Sequence, residues 1–177
     1  MSEKDGTRAR RDDAGTGGPP GSHERLDIYM RGPDRLGEAV AGLSDAGLDL
    51  ARTPGEWTIR QIVHHLADGE LHWATPIKMA LAESGRTYAH NLMDEDRWAE
   101  VLDYGDRPVE SSLALIRALR AHVADLVRHL PDAWERHVSF GEDAEWRPTV
   151  AELMAIVNRH FEEHVEEILE TRRRHNL

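Results

Sequence analysis

The stretch EWTIRQIVHHLADGELHW, residues 56–73, decides the fold. Thr58 and Gln61 stand three residues apart just ahead of an apolar run, which is the spacing of a capping box. Trp57 and Ile62 occupy the two positions of a hydrophobic staple. Beyond them Ile59, Ile62, Val63, Leu66, Trp73 and Ile77 recur at helical spacing. The reading is a long amphipathic helix that runs to about Ala82 or Ser84 and stops before Gly85. A helix with one apolar stripe needs other elements to cover it.

Those elements lie on both sides. Downstream, a long helix begins near Pro108, places Val109, Leu113, Ile116, Val123, Val127 and Leu130 on one stripe, and is stopped by Pro131. The last helix has its own capping box in Thr149 and Glu152. It continues to the Arg172–Arg174 cluster, whose positive charge suits a helix C-terminus. Upstream, Leu36, Ala39, Val40 and Leu43 predict a helix over 34–43, weakened by Gly37. Residues 85–107 read as an irregular connection with a short helix near 94–102, and residues 131–148 as a small hairpin. The fold class is therefore all-α, a four-helix bundle with a short irregular or hairpin segment before the last helix. Residues 1–24 are rich in Gly, Pro and mixed charge and are expected to form a disordered tail, with the bundle occupying 25–177.

Composition narrows the function. The net charge of −11 argues against a phosphate-backbone partner, so no nucleic acid is expected. No window has the long uncharged apolar run of a membrane span and the N-terminus lacks a signal-type apolar core, which reads as a soluble, cytoplasmic protein. The absence of cysteine removes disulfides, thiolate ligands and a cysteine nucleophile. Any metal must sit on histidine and carboxylate.

The last helix carries NRHFEEHVEEILE, residues 158–170, with His160 and His164 one turn apart. With eleven histidines in the chain, roughly 0.7 such pairs arise by composition alone, so the pair by itself says little. Its placement says more. The stripe of this helix is Val150, Leu153, Met154, Val157, Phe161 and Ile168; His164 falls inside it and His160 at its edge. On the earlier helix His65 borders the stripe, whereas His64 projects nearly opposite. His122 and His129 fall off their stripe and read as surface residues. If that earlier helix contributes a ligand, it is His65. Three neutral imidazoles in a bundle core suit Zn²⁺, Ni²⁺ or Fe²⁺ and leave a position for water or substrate. The bland reading is a set of core histidines held by carboxylates or water.

Other chemistries fit less well. HFEEH matches a His-x-x-Glu-His protease pattern with Glu163 as base, but only thirteen residues follow His164, too few for the downstream acidic ligand. The usual zincin order needs Glu where Phe161 stands, and a di-iron site needs Glu where Val157, Phe161 and Ile62 stand. There is no phosphate-binding glycine loop and no Gly-x-Ser-x-Gly elbow.

Taken in order, EWTIRQIVHHLADGELHW and HFEEHVEEI resemble the DinB-like superfamily, especially its YfiT-type branch of metal-dependent hydrolases and low-molecular-weight thiol transferases. The similarity runs from about Arg35 to Arg172 and includes the Trp-Thr helix start, the His-Leu-Ala-Asp run and the late His-x-x-x-His. The resemblance implies up-down-down-up connectivity, a homodimer, and a divalent metal held by His65, His160 and His164, with Zn²⁺ ahead of Ni²⁺ or Fe²⁺. Glu167 stands where the family often has Gln or His; its carboxylate is a candidate either to support an imidazole from outside or to act as a fourth ligand. Asp68, one turn from His65, is a candidate to hold an imidazole by its second nitrogen. Trp57 is assigned to the staple rather than to substrate. The function implied is metal-dependent transfer of a small thiol to an electrophile, or hydrolysis of a small substrate, of a detoxification or stress type. A non-catalytic metal-binding or interaction bundle, or one without metal, remains the alternative.

Overall fold

Both capping boxes are formed. In the computed structural model, which describes residues 21–89, 94–141 and 145–177, Thr58 Oγ1 accepts from the Gln61 N–H at 3.2 Å. The Thr58 N–H in turn donates to Gln61 Oε1 at 2.9 Å. Thr149 and Glu152 repeat the exchange at 3.2 and 2.8 Å. They open the two longest helices, α3 (Ile59–Ala82) and α6 (Val150–His175). The other elements are α1 (Ser22–Val40), α2 (Asp45–Leu48), β1 (Thr87–Tyr88), α4 (Glu95–Val101), α5 (Glu110–His129) and β2 (Ser139–Phe140).

Side-chain contacts give the directions of the four long helices. Asn158 donates to the carbonyl of Arg25 and Arg172 to that of Ala39, so α1 and α6 run parallel. His64 meets Ser112 and Glu70 meets Arg120, so α3 and α5 are parallel too. His65 faces His160 while Trp57 lies against the later His164, which makes α3 and α6 antiparallel. The connectivity is up-down-down-up. It places α1 beside α5 and α6, and α3 beside α5 and α6.

The apolar interior falls into two clusters stacked along the bundle axis. One contains Leu26, Ile77, Val123, Val127 and Leu153; the other contains Leu36, Ile62, Leu66, Ile116, Phe161 and Ile168. On α3 and α5 the residues between the clusters are Glu70 and Arg120, 3% and 1% exposed. Arg120 Nε and Nη2 both donate to Glu70 Oε1, at 2.8 and 2.5 Å, and Tyr29 Oη donates to Glu70 Oε2 at 3.2 Å. A buried ion pair thus forms the waist of the bundle. Burial first, then the Glu70 charge, raise the Tyr29 phenol well above its usual pKa and keep it protonated.

Three features differ from the sequence reading. Helix α1 begins at Ser22 rather than Asp34 and continues straight through Gly32–Pro33. A proline inside a helix leaves the carbonyl four residues earlier without a donor; here that carbonyl is Tyr29, and Arg120 Nη1 supplies the missing donor at 2.9 Å. A four-residue helix, α2, unforeseen, is capped by Ser44, whose Oγ accepts from the Gly47 N–H at 3.2 Å. The expected hairpin before α6 closes through antiparallel bridges at Phe140–Trp146 and His137–Thr149. In addition, β2 pairs in parallel with β1, which single-strand patterning does not reveal. The expected tail lies, for residues 1–20, outside the described residues.

Candidate metal centre

His160 and His164 are four apart on α6 and so share one face; that face meets the first half of α3. The structure brings His65, His160 and His164 together, with one ring nitrogen of each lying within 4.8 Å of the others. His65 Nε2 is 3.1 Å from His160 Nε2. Ring centroids are 5.1 Å apart for His65–His160 and 4.8 Å for each of the other two pairs. The edge of His160 lies over Gly69, one turn beyond His65, where a Cβ would sit in ordinary contact, 3.7 Å from His160 Cε1.

His65 and His160 are held neutral. Burial, reinforced by the neighbouring His164 and His160, pushes the pKa of His65 down to about 3. Burial, then the charges of His164 and Arg120, push His160 down to about 4. Neutral imidazoles keep lone pairs free for a cation at physiological pH. His65 Nδ1 is buried and has no hydrogen-bond partner.

The donor set fits a divalent ion. Nitrogens bound to Zn²⁺ at 2.0–2.1 Å in a tetrahedral site stand about 3.3 Å from one another. The 3.1 Å approach of the two Nε2 atoms is close to that spacing without any rearrangement. Among the described residues this is the one cluster of three or more ligand-type side chains.

Around the histidines the surroundings are specific. His164 Nδ1 lies 3.1 Å from Glu167 Oε2. The other Glu167 oxygen is 3.6 Å from Arg52, which is itself gripped in bidentate fashion by Glu56 at 2.8 and 2.9 Å. The Arg52 hydrogen bonds lower the Glu56 pKa to about 2. Trp57 does more than its staple assignment: its ring lies 4.7 Å from that of His65 and stacks at 17° and 6.5 Å on His164. A cavity of about 400 Å³ opens against His164, bounded by Arg52, Glu163, Glu166, Glu167, Glu170 and Arg173. Another, of about 370 Å³, surrounds Arg60 between α2 and the start of α5 and touches none of the three histidines.

Two expectations are corrected. Asp68 is not brought to His65; it accepts a hydrogen bond from Tyr104 Oη. Burial, then this bond, raises the Tyr104 pKa. His64, projected away from the stripe, is also buried, because α3 is covered on a second side by α5 and the chain leading into it. Its Nδ1 meets Ser112 Oγ at 2.8 Å and its Nε2 meets the Arg107 carbonyl at 3.1 Å, and burial lowers its pKa. Both residues fasten α3 to its neighbours. His122 and His129 are exposed, as read.

A four-helix bundle of this connectivity with three histidines meeting between α3 and α6 defines a recognisable class. A profile of the DinB superfamily matches residues 29–168, and the chain belongs to that superfamily. It is 32% identical over 149 residues to "Putative metal-dependent hydrolase YfiT" of Bacillus subtilis, covering 84% of this chain and 83% of that one. A "Putative metal-dependent hydrolase" of Geobacillus thermodenitrificans is 32% identical over 142 residues, 80% and 79% of the two chains. The solved structure of B. subtilis YfiT, described as a four-helix bundle of unusual topology, superposes with a TM-score of 0.78 at 28% identity, over 92% of this chain and 95% of that one. A mycothiol-dependent maleylpyruvate isomerase shares the fold at a TM-score of 0.63 and 16% identity, over 82% of this chain and 60% of that one.

Proposed function

We propose that His65, His160 and His164 hold a divalent metal, Zn²⁺ ahead of Ni²⁺ or Fe²⁺, and that the protein is a metal-dependent enzyme acting on a small molecule. One observation carries the reading: three imidazoles from two helices each bring a ring nitrogen to within 4.8 Å of the others, and one of them, His164, borders a cavity of about 400 Å³. Such an ion, when bound, supplies a Lewis acid that lowers the pKa of water or of a thiol. The reaction is then hydrolysis of a small substrate or transfer of a small thiol to an electrophile. The relatives named for metal-dependent hydrolysis support the first, and the mycothiol-dependent enzyme of the same fold is a parallel for the second.

The chain's own residues have distinct tasks in this reading. Glu167 accepts from His164 Nδ1–H, which fixes the ring so that Nε2 keeps its lone pair. Glu167 therefore supports a ligand and leaves the remaining coordination position open. Arg52 braces Glu167, and Trp57 shields two of the rings from water. Substrate enters from the cavity at His164.

Elemental analysis of protein purified without a His tag tests the site: about one equivalent of metal per chain is expected, and less than about a tenth rejects it. Turnover of a small thiol with a haloaromatic or epoxide, and of activated esters and amides, separates the two reactions. Metal bound with no turnover of either class, or turnover equal in wild type and His160→Ala, favours the non-catalytic bundle instead. The family resemblance also supports a homodimer, and α4 and its C-terminal end expose Trp98, Val101 and Leu102 as apolar surface for a second copy. Light scattering at micromolar concentration checks the dimer. None of the described helices is long and apolar enough to cross a membrane.

A further inference from the structure

The waist ion pair has no task in the chemistry proposed above, yet the fold gives up much to keep it. Arg120 and Glu70 are almost wholly buried, and a buried ion pair is often no more stabilising than apolar residues of the same size. Helix α1 is built around it. A Cβ at Gly32 would collide with Arg120 Nη1, and the carbonyl freed by Pro33 is the one that Nη1 occupies. All three guanidinium nitrogens donate within the fold, Nε and Nη2 to Glu70 and Nη1 to the Tyr29 carbonyl.

What the pair touches is more telling. The Arg120 guanidinium lies 3.7 Å over the ring of Phe161, the residue next to His160 on α6. Glu70 follows Gly69, against which His160 rests, and is on the same helix as His65. The pair thus joins α3 to α6, through a stacked ring on one side and a carboxylate on the other, beside the residues that must converge. The directional bonds fix the guanidinium axially against α3 and α1 in a way that interchangeable apolar contacts do not, and the Phe161 ring of α6 packs on the guanidinium so fixed.

We infer that Glu70 and Arg120 are positioning residues for the histidine cluster, setting the register of α3 against α6 so that His65 meets His160 and His164. This rests on the metal reading only for its consequence in affinity. In the metal-free protein the same register is visible as the close approach of the His65 and His160 rings.

The test uses the full chain carrying Glu70→Leu with Arg120→Met, which fills the waist with apolar side chains. The metal-free double variant is expected to unfold at a lower temperature than wild type, because the Tyr29 carbonyl and hydroxyl lose their partners, but to remain folded at about 25 °C. Zn²⁺ affinity, measured by competition with a chromophoric chelator, is expected to fall at least about tenfold, with a changed Co²⁺ visible spectrum. A nuclear Overhauser contact between the His65 and His160 rings, expected in the metal-free wild type from their 5.1 Å centroid separation, should weaken or disappear in the double variant. A folded double variant with wild-type affinity, spectrum and ring contact would overturn the inference. Should the double variant not fold, Arg120→Lys decides: it keeps the charge but loses the planar fork, and unchanged ring contact and affinity would overturn the inference equally. A wild type that binds no metal yet loses the ring contact in the variant would reject the proposed function while leaving the positioning role supported.

Discussion

At the scale of single residues, the three histidines were legible because a pair four apart on an apolar stripe has only one direction to point. His64 and Asp68 were not. Their partners, Ser112 and Tyr104, lie 48 and 36 residues away and reach α3 from a side that a one-stripe projection leaves to solvent. Arg120 left a trace that could have been followed. It stands in the gap between Ile116 and Val123 on the α5 stripe, as Glu70 stands between Leu66 and Trp73 on α3, and two opposite charges filling matching gaps are a signal for a buried pair. Replacing Gly32 with Ala should lower stability by about 1–3 kcal/mol, since the methyl meets a buried guanidinium whose three nitrogens are all hydrogen-bonded; a wild-type denaturation midpoint would contradict the packing described. Glu167→Ala should weaken metal binding by about 10–100-fold through loss of the His164 support, read by chelator competition, and an unchanged affinity would remove that role. The histidines also predict a pH dependence of the metal-free protein. His65 and His160 titrate near 3 and 4 when folded, against an ordinary value of 6.5, so the unfolded chain takes up their protons first as pH falls. Their stability contribution is complete above about pH 6.5 and is lost as pH drops from there toward the folded values, by up to about 1.4 kcal/mol per pH unit for each ring. Urea midpoints at pH 7, 6 and 5 should decline, and the decline should flatten in His65→Ala/His160→Ala.

Among elements, the helices that begin at capping boxes were read to within a residue or two, because the N-terminal signal is local: a hydroxyl and a carboxamide or carboxylate three positions apart. Helix α1 was read short because its interruption at Gly32–Pro33 is repaired by a side chain from α5, and no local pattern announces a repair made at such a distance. The pairing of β1 with β2 was hidden for the same reason: two residues a strand carry too little periodicity, and their register comes from where α3 ends and α5 stops. The caps give an element-scale prediction. Thr149→Ala removes the acceptor for the Glu152 N–H and should cost about 1 kcal/mol. Because the histidines lie more than two turns further along α6, metal affinity should stay within about twofold of wild type. A large loss of affinity would mean that the start of α6 controls its centre, contrary to the division drawn here between cap and waist.

For the whole molecule, the bundle follows from four amphipathic stripes, but its connectivity does not. Stripes alone allow several arrangements; the order up-down-down-up, implied by the family resemblance, is seen in which side chains meet, Arg172 with the Ala39 carbonyl of α1 and His65 with His160. On the proposed reading, this arrangement makes metal binding a global event. The proposed ligands stand at positions 65, 160 and 164 on two helices, so an unfolded chain does not hold them together. Saturating Zn²⁺ at a thousand times its dissociation constant should therefore add about 4 kcal/mol to the unfolding free energy. A midpoint unmoved by Zn²⁺ or by chelator would show that the ion is not bound by the native fold.

The separation of His65 from its two companions also matters while the protein is being made. A nascent chain that has emerged through α5 already contains His65 and most of the apolar core, yet it has neither His160 nor His164, because α6 is translated last of the four bundle helices. On the proposed three-histidine reading, the site is therefore assembled only when that helix docks, after the rest of the bundle has been made.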